Sequence, residues 1–305
     1  MADRGTSVSP PVVAPLDRAS LRDHPLPMPS GEVDKNSRGR VTVIGGCLEV
    51  PGGVRLTAEA ALRAGAGKVR IATVAPIAHM IGTLFPEAAI AALPASASGE
   101  IAASPSEISP LVGKSDAIVV GPAMSCRHHA SRLVDTLLDS ITLDHSVVID
   151  AAALMSLSQH ADRLKKRTRP ALLTPHPGEI AAMLDIDAED LASDAVSVAM
   201  LAARRFNAVV VLKGSCTTIA DPSGAIYSFN GGTTGLATSG SGDVLAGIAV
   251  GLLARGCEPL DAALWAVWLH GEAGRRCAET IGPLGFLASD LLALIPGLML
   301  SAGQS

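Results

Sequence analysis

Aromatic side chains are almost missing from this chain: two Trp, one Tyr and four Phe among 305 residues. A core built without them rests on Ala, Gly, Val and Leu, the small aliphatic set that fills parallel sheets covered by helices. Basic runs are missing as well. The formal net charge is −5, which argues against nucleic acid as a partner. The five cysteines, Cys47, Cys126, Cys216, Cys257 and Cys277, form no C-x-x-C pair. Reduced, buried thiols of a cytoplasmic protein are therefore expected, rather than disulfides or a zinc site. No apolar run reaches the roughly 18 uninterrupted residues of a clear membrane span, and the N-terminus lacks a basic-then-apolar signal pattern. No membrane partner is expected. Two nucleotide fingerprints, G-x-G-x-x-G and G-x-x-x-x-G-K-[ST], are also absent. That argues against an ordinary dinucleotide dehydrogenase and a P-loop NTPase.

What is present is an alternation. Hydrophobic residues make up 48% of the chain and charged ones 17%, enough for one large α/β domain. Residues 1–33 carry many prolines and no periodicity, and read as a tail, partly disordered or draped on a neighbour. A single domain is expected over 34–300. Short β-branched runs at 40–46, 68–73, 116–122, 146–151, 171–177 and 208–214 read as strands. Helical patterns lie at 56–67, 128–140 and 189–205, and a hairpin at 217–229 turns around 221–224. Two or three helices, from Val244, Leu260 and Phe286, end the chain. This spacing predicts parallel βαβ units, an α/β doubly wound, mainly parallel sheet flanked by helices. Ligand loops should then gather at the C-terminal strand ends, at Gly45–Gly46, Gly121–Pro122, Asp150, 174–179 and Lys213–Gly214.

The most informative stretch is GGTTGLATSGSGDVLAGIAVGLLA (231–254). Gly240 and Gly242 flank Ser241 ahead of Asp243 and an apolar helix. Glycines permit positive φ and close approach, and the helix start offers free N–H groups and a positive dipole end. The turn is thus a candidate phosphate site, although a plain capped helix has the same letters. LTPHPGE (173–179) is the second signal. Two prolines stiffen a turn that presents His176, with Glu179 in the first helical turn. Lys213 and Gly214 end a strand, where a lysine can meet phosphate oxygens. Asp150 in DAAAL reads equally as a ligand group or a helix cap. His270 sits in an apolar helix and reads as a packing residue.

In this order the motifs resemble the ADP/ATP-dependent NAD(P)H-hydrate dehydratases of the ribokinase-like carbohydrate-kinase fold. The matching pieces are GRVTVIGG (39–46), AALRAGAGKVRIAT (60–73), LTPHPGE, LKG (212–214), GLATSGSGDVLAGI (235–248), AVWLHGEAG (266–274) and LGFLASDLL (284–292). The resemblance implies repair of hydrated NADH and NADPH at the expense of ADP or ATP, with Mg2+. It implies Asp243 as the base, and Gly53, Ala123, His176 and Asp243 along the hydrate. Lys213, Gly214, Ser215, Cys216, Thr217, Gly240, Ser241 and Gly242 would hold the adenine nucleotide. It implies a cytoplasmic homo-oligomer, a tetramer or larger, and a stand-alone form, since 33 leading residues are too few for the epimerase domain some members carry. Three positions depart from the family pattern. GPAMS (121–125) replaces G-P-G-L-G, placing Ala123 and Ser125 where glycines are usual. Ala152 replaces an Asp, and Thr233 replaces an Asn. Two other readings stay open on the residues alone: a small-molecule kinase of the same fold, and a non-enzymatic nucleotide-binding protein with a worn site.

Overall fold

The β-branched runs pair side by side because both of their faces are apolar. The structure, a computed structural model, describes residues 12–28, 34–186 and 194–303. Its strands are β1 (Ala14–Pro15), β2 (Arg40–Ile44), β3 (Lys68–Val74), β4 (Ala88–Leu93), β5 (Ala117–Val120), β6 (Ser146–Ile149), β7 (Ala171–Leu173), β8 (Ala208–Leu212), β9 (Thr217–Ala220) and β10 (Ile226–Phe229). They form one sheet in the order β1-β10-β9-β8-β7-β6-β5-β2-β3-β4. From β8 to β4 every pair is parallel, while β9 is antiparallel to both β8 and β10, and β9 with β10 forms the predicted hairpin.

Alternate strand residues serve opposite faces, as the two-residue period of a strand requires. Val41, Val43, Val69, Ile71 and Val119 belong to one buried cluster; Ile44, Ala72, Ile118 and Val120 belong to the other. The helices, in chain order, are α1 (Gly53–Arg63), α2 (Ala75–Leu84), α3 (Pro105–Val112), α4 (Arg127–Ser140), α5 (Ala161–Lys165), α6 (Pro177–Leu184), α7 (Ala195–Phe206), α8 (Ser241–Ala254), α9 (Pro259–Thr280), α10 (Ala288–Leu292) and α11 (Ile295–Gly303). Helices α1, α8, α9, α10 and α11 fill the first cluster, and α3, α4, α6 and α7 the second. This is the three-layer α/β/α arrangement expected for a doubly wound sheet.

Chain direction across the sheet reverses between β2 and β5, the topological switch point where open α/β sheets form their crevice. The two loops there are laced together. The Gly46 N–H donates to the Pro122 carbonyl at 2.9 Å, and a Cβ on Gly45 would lie 2.2 Å from that oxygen. Beside the crevice, α1 and α8 run together at backbone contact. A Cβ on Gly247 would stand 2.3 Å from the Thr57 carbonyl oxygen, and one on Gly251 2.5 Å from that of Ala61.

Several elements differ from the sequence reading. β4 was not expected, because AAIAAL has weak strand propensity and no alternation. The C-terminal part holds four helices where two or three were expected. Part of the predicted helix at 189–205 lies outside the described residues; the remainder is α7. The segment read as a tail contributes to the sheet over 12–28. β1 pairs parallel with β10, and Leu16 and Leu21 are buried in the first cluster. The Trp265 indole N–H donates to the His24 carbonyl at 2.6 Å, and the His24 ring meets Asp261 at 2.6 Å. Two leucines separated by five positions are too few to register as a pattern, yet they suffice to anchor an edge strand. Of the cysteines, Cys47, Cys257 and Cys277 are buried as expected, whereas Cys126 is half-buried and Cys216 exposed. Among the described residues, no helix is long and apolar enough to cross a membrane.

Deleting residues 1–28 is expected to destabilise the protein and leave nucleotide affinity unchanged. Uncovering Leu16 and Leu21 removes about 3 kcal/mol of burial, a fall in melting temperature of at least about 5 °C. A thermal melt followed through Trp265 fluorescence, with nucleotide titration of the same truncated chain, checks both halves.

Candidate active site

The C-terminal strand ends deliver side chains to one edge of the sheet. At the end of β6, Asp150 starts a 3₁₀ segment, but its carboxyl does not cap it. Oδ1 instead accepts from Thr174 Oγ1 at 2.7 Å and faces Lys213 Nζ at 3.4 Å. Lys213 follows β8, where its N–H donates to the Pro175 carbonyl at 2.8 Å. Its ammonium also lies 3.6 Å from Glu179 Oε2. Burial works against this charge, but the Asp150 and Glu179 carboxyls outweigh it and hold the ammonium above its ordinary pKa. His176 caps α6. Its Nδ1 accepts from the N–H groups of Gly178 and Glu179 at 3.0 and 3.3 Å, while its own N–H donates to Glu179 Oε2 at 2.7 Å. HPGE is thus a reciprocal cap that turns Glu179 inward to Lys213 and leaves the His176 ring at the surface.

Helix α8 begins at the same edge. Gly240 precedes it with φ +86°, and a Cβ there would lie 2.6 Å from Leu56 Cδ1. Gly242 has no positive φ; its Cβ position faces Lys213 Nζ at 3.6 Å. The two glycines therefore differ. Gly240 is required by backbone and packing, whereas Gly242 keeps open the space between the helix start and the ammonium.

The helix start divides the site in two. On one side is a cavity of about 770 Å³ whose lining includes His176, Lys213, Gly214, Ser215, Thr217, Ser241 and Gly242 together with the apolar Phe229, Leu236, Leu245 and Val267. On the other side stands Asp243. A Cβ on Gly53 would lie 2.7 Å from Asp243 Oδ2 and 2.7 Å from the Ala123 methyl, so these three residues form the second wall, at the switch point. Burial first, and then the Asp150 charge, push the Asp243 carboxyl up to about 7, although Lys213 pulls the other way.

The sequence-predicted residues distribute accordingly. Gly53, Ala123 and Asp243 come together. His176, expected with them, instead lines the cavity with Lys213. Cys216 and Gly240 do not line that cavity: Cys216 is exposed and Gly240 packs against Leu56 and Ala288. His270, read from sequence as a packing residue, lines the cavity, and its Nε2 lies 2.9 Å from Ser241 Oγ. Burial holds its ring down to about 4, so at neutral pH it is an uncharged hydrogen-bonding partner of the first helical hydroxyl. Only its place in an apolar helix beside Trp265 and Trp268 was visible in sequence, and that pattern is also the pattern of a core. The three departures separate as well. Ala123 takes a left-handed φ of +55° and Ser125 does not, the reverse of the expectation for position 125. Ala152 is buried in the second apolar cluster, so a missing carboxyl there leaves the crevice unaltered. Thr233 lines the cavity, with a buried hydroxyl that has no hydrogen-bond partner among the described residues.

Asp243 and His270 impose opposite pH dependences. The Asp243 pKa is raised from 3.8 to about 7, so its contribution to stability is present below about 4 and lost as pH rises through about 7. The His270 pKa is lowered from 6.5 to about 4, so its contribution is present above 6.5 and lost as pH falls through about 4. Asp243→Asn is expected to leave a stability that climbs between these limits, and His270→Gln one that declines. Urea midpoints across this window, compared with the nearly balanced parent, provide the check.

This geometry has counterparts. A family model described as NAD(P)H-hydrate dehydratase matches residues 41–297, which include both walls of the site. The ADP-dependent (S)-NAD(P)H-hydrate dehydratase of Xanthomonas campestris is 40% identical over 95% of this chain and 97% of its own length. The bifunctional NAD(P)H-hydrate repair enzyme of Moorella thermoacetica is 36% identical over 89% of this chain, which spans 51% of that protein. The ADP/ATP-dependent NAD(P)H-hydrate dehydratase of Bacillus subtilis, co-crystallised with ATP and Mg2+, superposes with a TM-score of 0.79 at 28% identity, covering 95% of this chain and 99% of that one. The sheet is thus the ribokinase-like one. Matched from β2 through α11 and across both halves of its crevice, the chain belongs to the NAD(P)H-hydrate dehydratase family.

Proposed function

We propose that this protein converts (S)-NAD(P)H hydrate back to NAD(P)H while consuming ADP or ATP. The observation that carries the reading is the two-part site: the start of α8 brings Gly242, with Lys213 from the end of β8, to a nucleotide-sized cavity, and sets Asp243 against Gly53 outside that lining. A pocket of this volume with both apolar and polar side chains in its lining suits an adenine nucleotide. The lining joins the first residues of a helix to an ammonium, the usual recipe for phosphate. The names of the Xanthomonas and Bacillus relatives point the same way.

In this reading Asp243 takes the proton of the hydrate hydroxyl. The freed oxygen bonds to the terminal phosphorus as that atom's bond to the departing nucleotide breaks. The N–H groups at the start of α8 and the Lys213 ammonium are already aimed where charge gathers, and they do not reorganise during transfer. Phosphate then leaves with the C–O electron pair, assisted by the ring nitrogen, and the resulting iminium loses a proton from the neighbouring ring carbon to solvent, which gives NAD(P)H. Phosphate is a far better leaving group than hydroxide. Ser241, tied to the neutral His270 ring, steadies the first residue of the anion site.

The donor set bears on Mg2+. Among the described residues, no group of three or more His, Cys, Asp or Glu side chains could hold a metal ion, and Asp150 and Glu179 both face Lys213. Such a site does not cage the ion by itself. This fits an ion that keeps several waters and arrives on phosphate oxygens, and no step here is assigned to it.

Four measurements test the proposal. Incubation with NADH hydrate and ADP or ATP is expected to restore the NADH absorbance band. A phosphorylated hydrate that accumulates without it would mark a kinase. Asp243→Asn is expected to keep nucleotide affinity and lose turnover by about 10²–10⁴-fold. For the parent, kcat/KM should rise as pH passes through about 7, where Asp243 sheds its proton. Gly242→Ala should weaken nucleotide binding about tenfold, or roughly 1.4 kcal/mol, with little change in melting temperature. Gly240→Ala should do the reverse. Equal losses of affinity in the two variants would remove the phosphate assignment.

A further inference from the structure

Glu100 takes no part in the chemistry above, yet it is 1% exposed and tied to the crevice. Its Oε1 accepts three hydrogen bonds: from the Ser125 N–H at 3.0 Å, the Ser125 hydroxyl at 2.7 Å and the Cys126 N–H at 2.8 Å. Its Oε2 is buried and has no hydrogen-bond partner among the described residues. A buried carboxyl is an expensive way to hold a turn that an amide or hydroxyl could hold.

The place of Glu100 in the chain explains more. It ends a tight turn in which Gly99 has φ +79° and the Gly99 N–H donates to the Ser96 carbonyl at 3.0 Å. The same turn grips the other crevice loop, because the Leu48 N–H donates to the Gly99 carbonyl at 3.0 Å. Residues 99 and 100 therefore hold both loops of the switch point from outside. Between them sits Ala123, a non-glycine residue at φ +55°. Such a conformation persists only where the surroundings over-determine it. Its methyl closes against Gly53 beside Asp243.

We infer that Glu100 is a positioning residue for the hydrate side of the site: by clamping Ser125 and Cys126 it sets where the Ala123 methyl stands and hence the width of the crevice facing Asp243. This rests on the dehydratase reading for its substrate, but the clamp itself can be read without turnover. The Ala123 wall is separate from the nucleotide cavity, so the two binding steps respond differently.

The test uses the full chain with Glu100→Ala, Glu100→Gln and Ser125→Ala. In Glu100→Ala, KM for NADH hydrate is expected to rise about tenfold, since small displacements of a positioning group have effects of this order or larger. The dissociation constant for ADP should stay within about twofold. Amide exchange at 121–126 should accelerate in the protein without ligands. Glu100→Gln, which keeps a carbonyl oxygen at the same place, should restore most of the KM. Ser125→Ala, which loses one of the three bonds and is the milder change should Glu100→Ala fail to fold, should give about a threefold rise. Unchanged exchange at 121–126 in Ser125→Ala or Glu100→Ala overturns the clamp whether or not the protein turns over the hydrate. So does a lowered melting temperature with KM intact. Failure of the parent to regenerate NADH would instead overturn the dehydratase reading and leave the exchange result to decide the clamp.

Discussion

The site depends on how closely α1 and α8 approach. The two helices pack in a constant register: Gly53 meets Asp243, Thr57 meets Gly247, and Ala61 meets Gly251. Each contact is one helical turn beyond the last, and each has a glycine where a side chain would strike the other helix. A larger residue at 247 or 251 would lever the helices apart and carry Gly53 away from Asp243. The spacing of Gly53 and Asp243 is therefore set by backbone contacts deep in the first apolar cluster. A nearly aromatic-free composition suits this design, because small side chains are what let helices touch.

The same approach creates the electrostatics. Packing α8 at the sheet edge strips water from Asp243 and brings it into the field of Asp150, and the two effects raise its pKa to about 7. Lys213 counters part of that shift while being held by Asp150 and Glu179. The three acids and one ammonium form a connected set in which a change in one is felt by the others. A phosphate arriving beside Lys213 would compete with the carboxyls for the same ammonium.

Much of this was legible in the residues, for different physical reasons. HPGE and GSGD were found because turn and cap chemistry is local: prolines, glycines and first-turn acids act within four or five positions. Lys213 was placed correctly at a strand end, since periodicity marks where β8 stops. His270 was passed over, because a histidine on an apolar helix looks the same whether its ring meets core or cavity. Glu100 gave no signal at all. Its partners, Ser125 and Cys126, are far along the chain, and the edge strand before it is built of alanines. Cys216 was included because the resemblance assigned the whole stretch 213–217 to the nucleotide; the structure leaves its side chain exposed and outside the cavity lining.

The sequence by itself determined the layered α/β class, the parallel βαβ order, the strand ends that carry ligand loops and the identity of the acid at the start of α8. These follow from two-residue and 3.6-residue periods and from short-range backbone preferences. Only the tertiary structure decided that Gly242 faces an ammonium while Gly240 serves the backbone, that Ala152 belongs to the core, and that His176 and Asp243 lie on opposite sides of one helix start. It also decided that Ala14–Pro15 add an edge strand to the sheet. These outcomes depend on which surfaces meet across long sequence separations, and contact of that kind has no period to read.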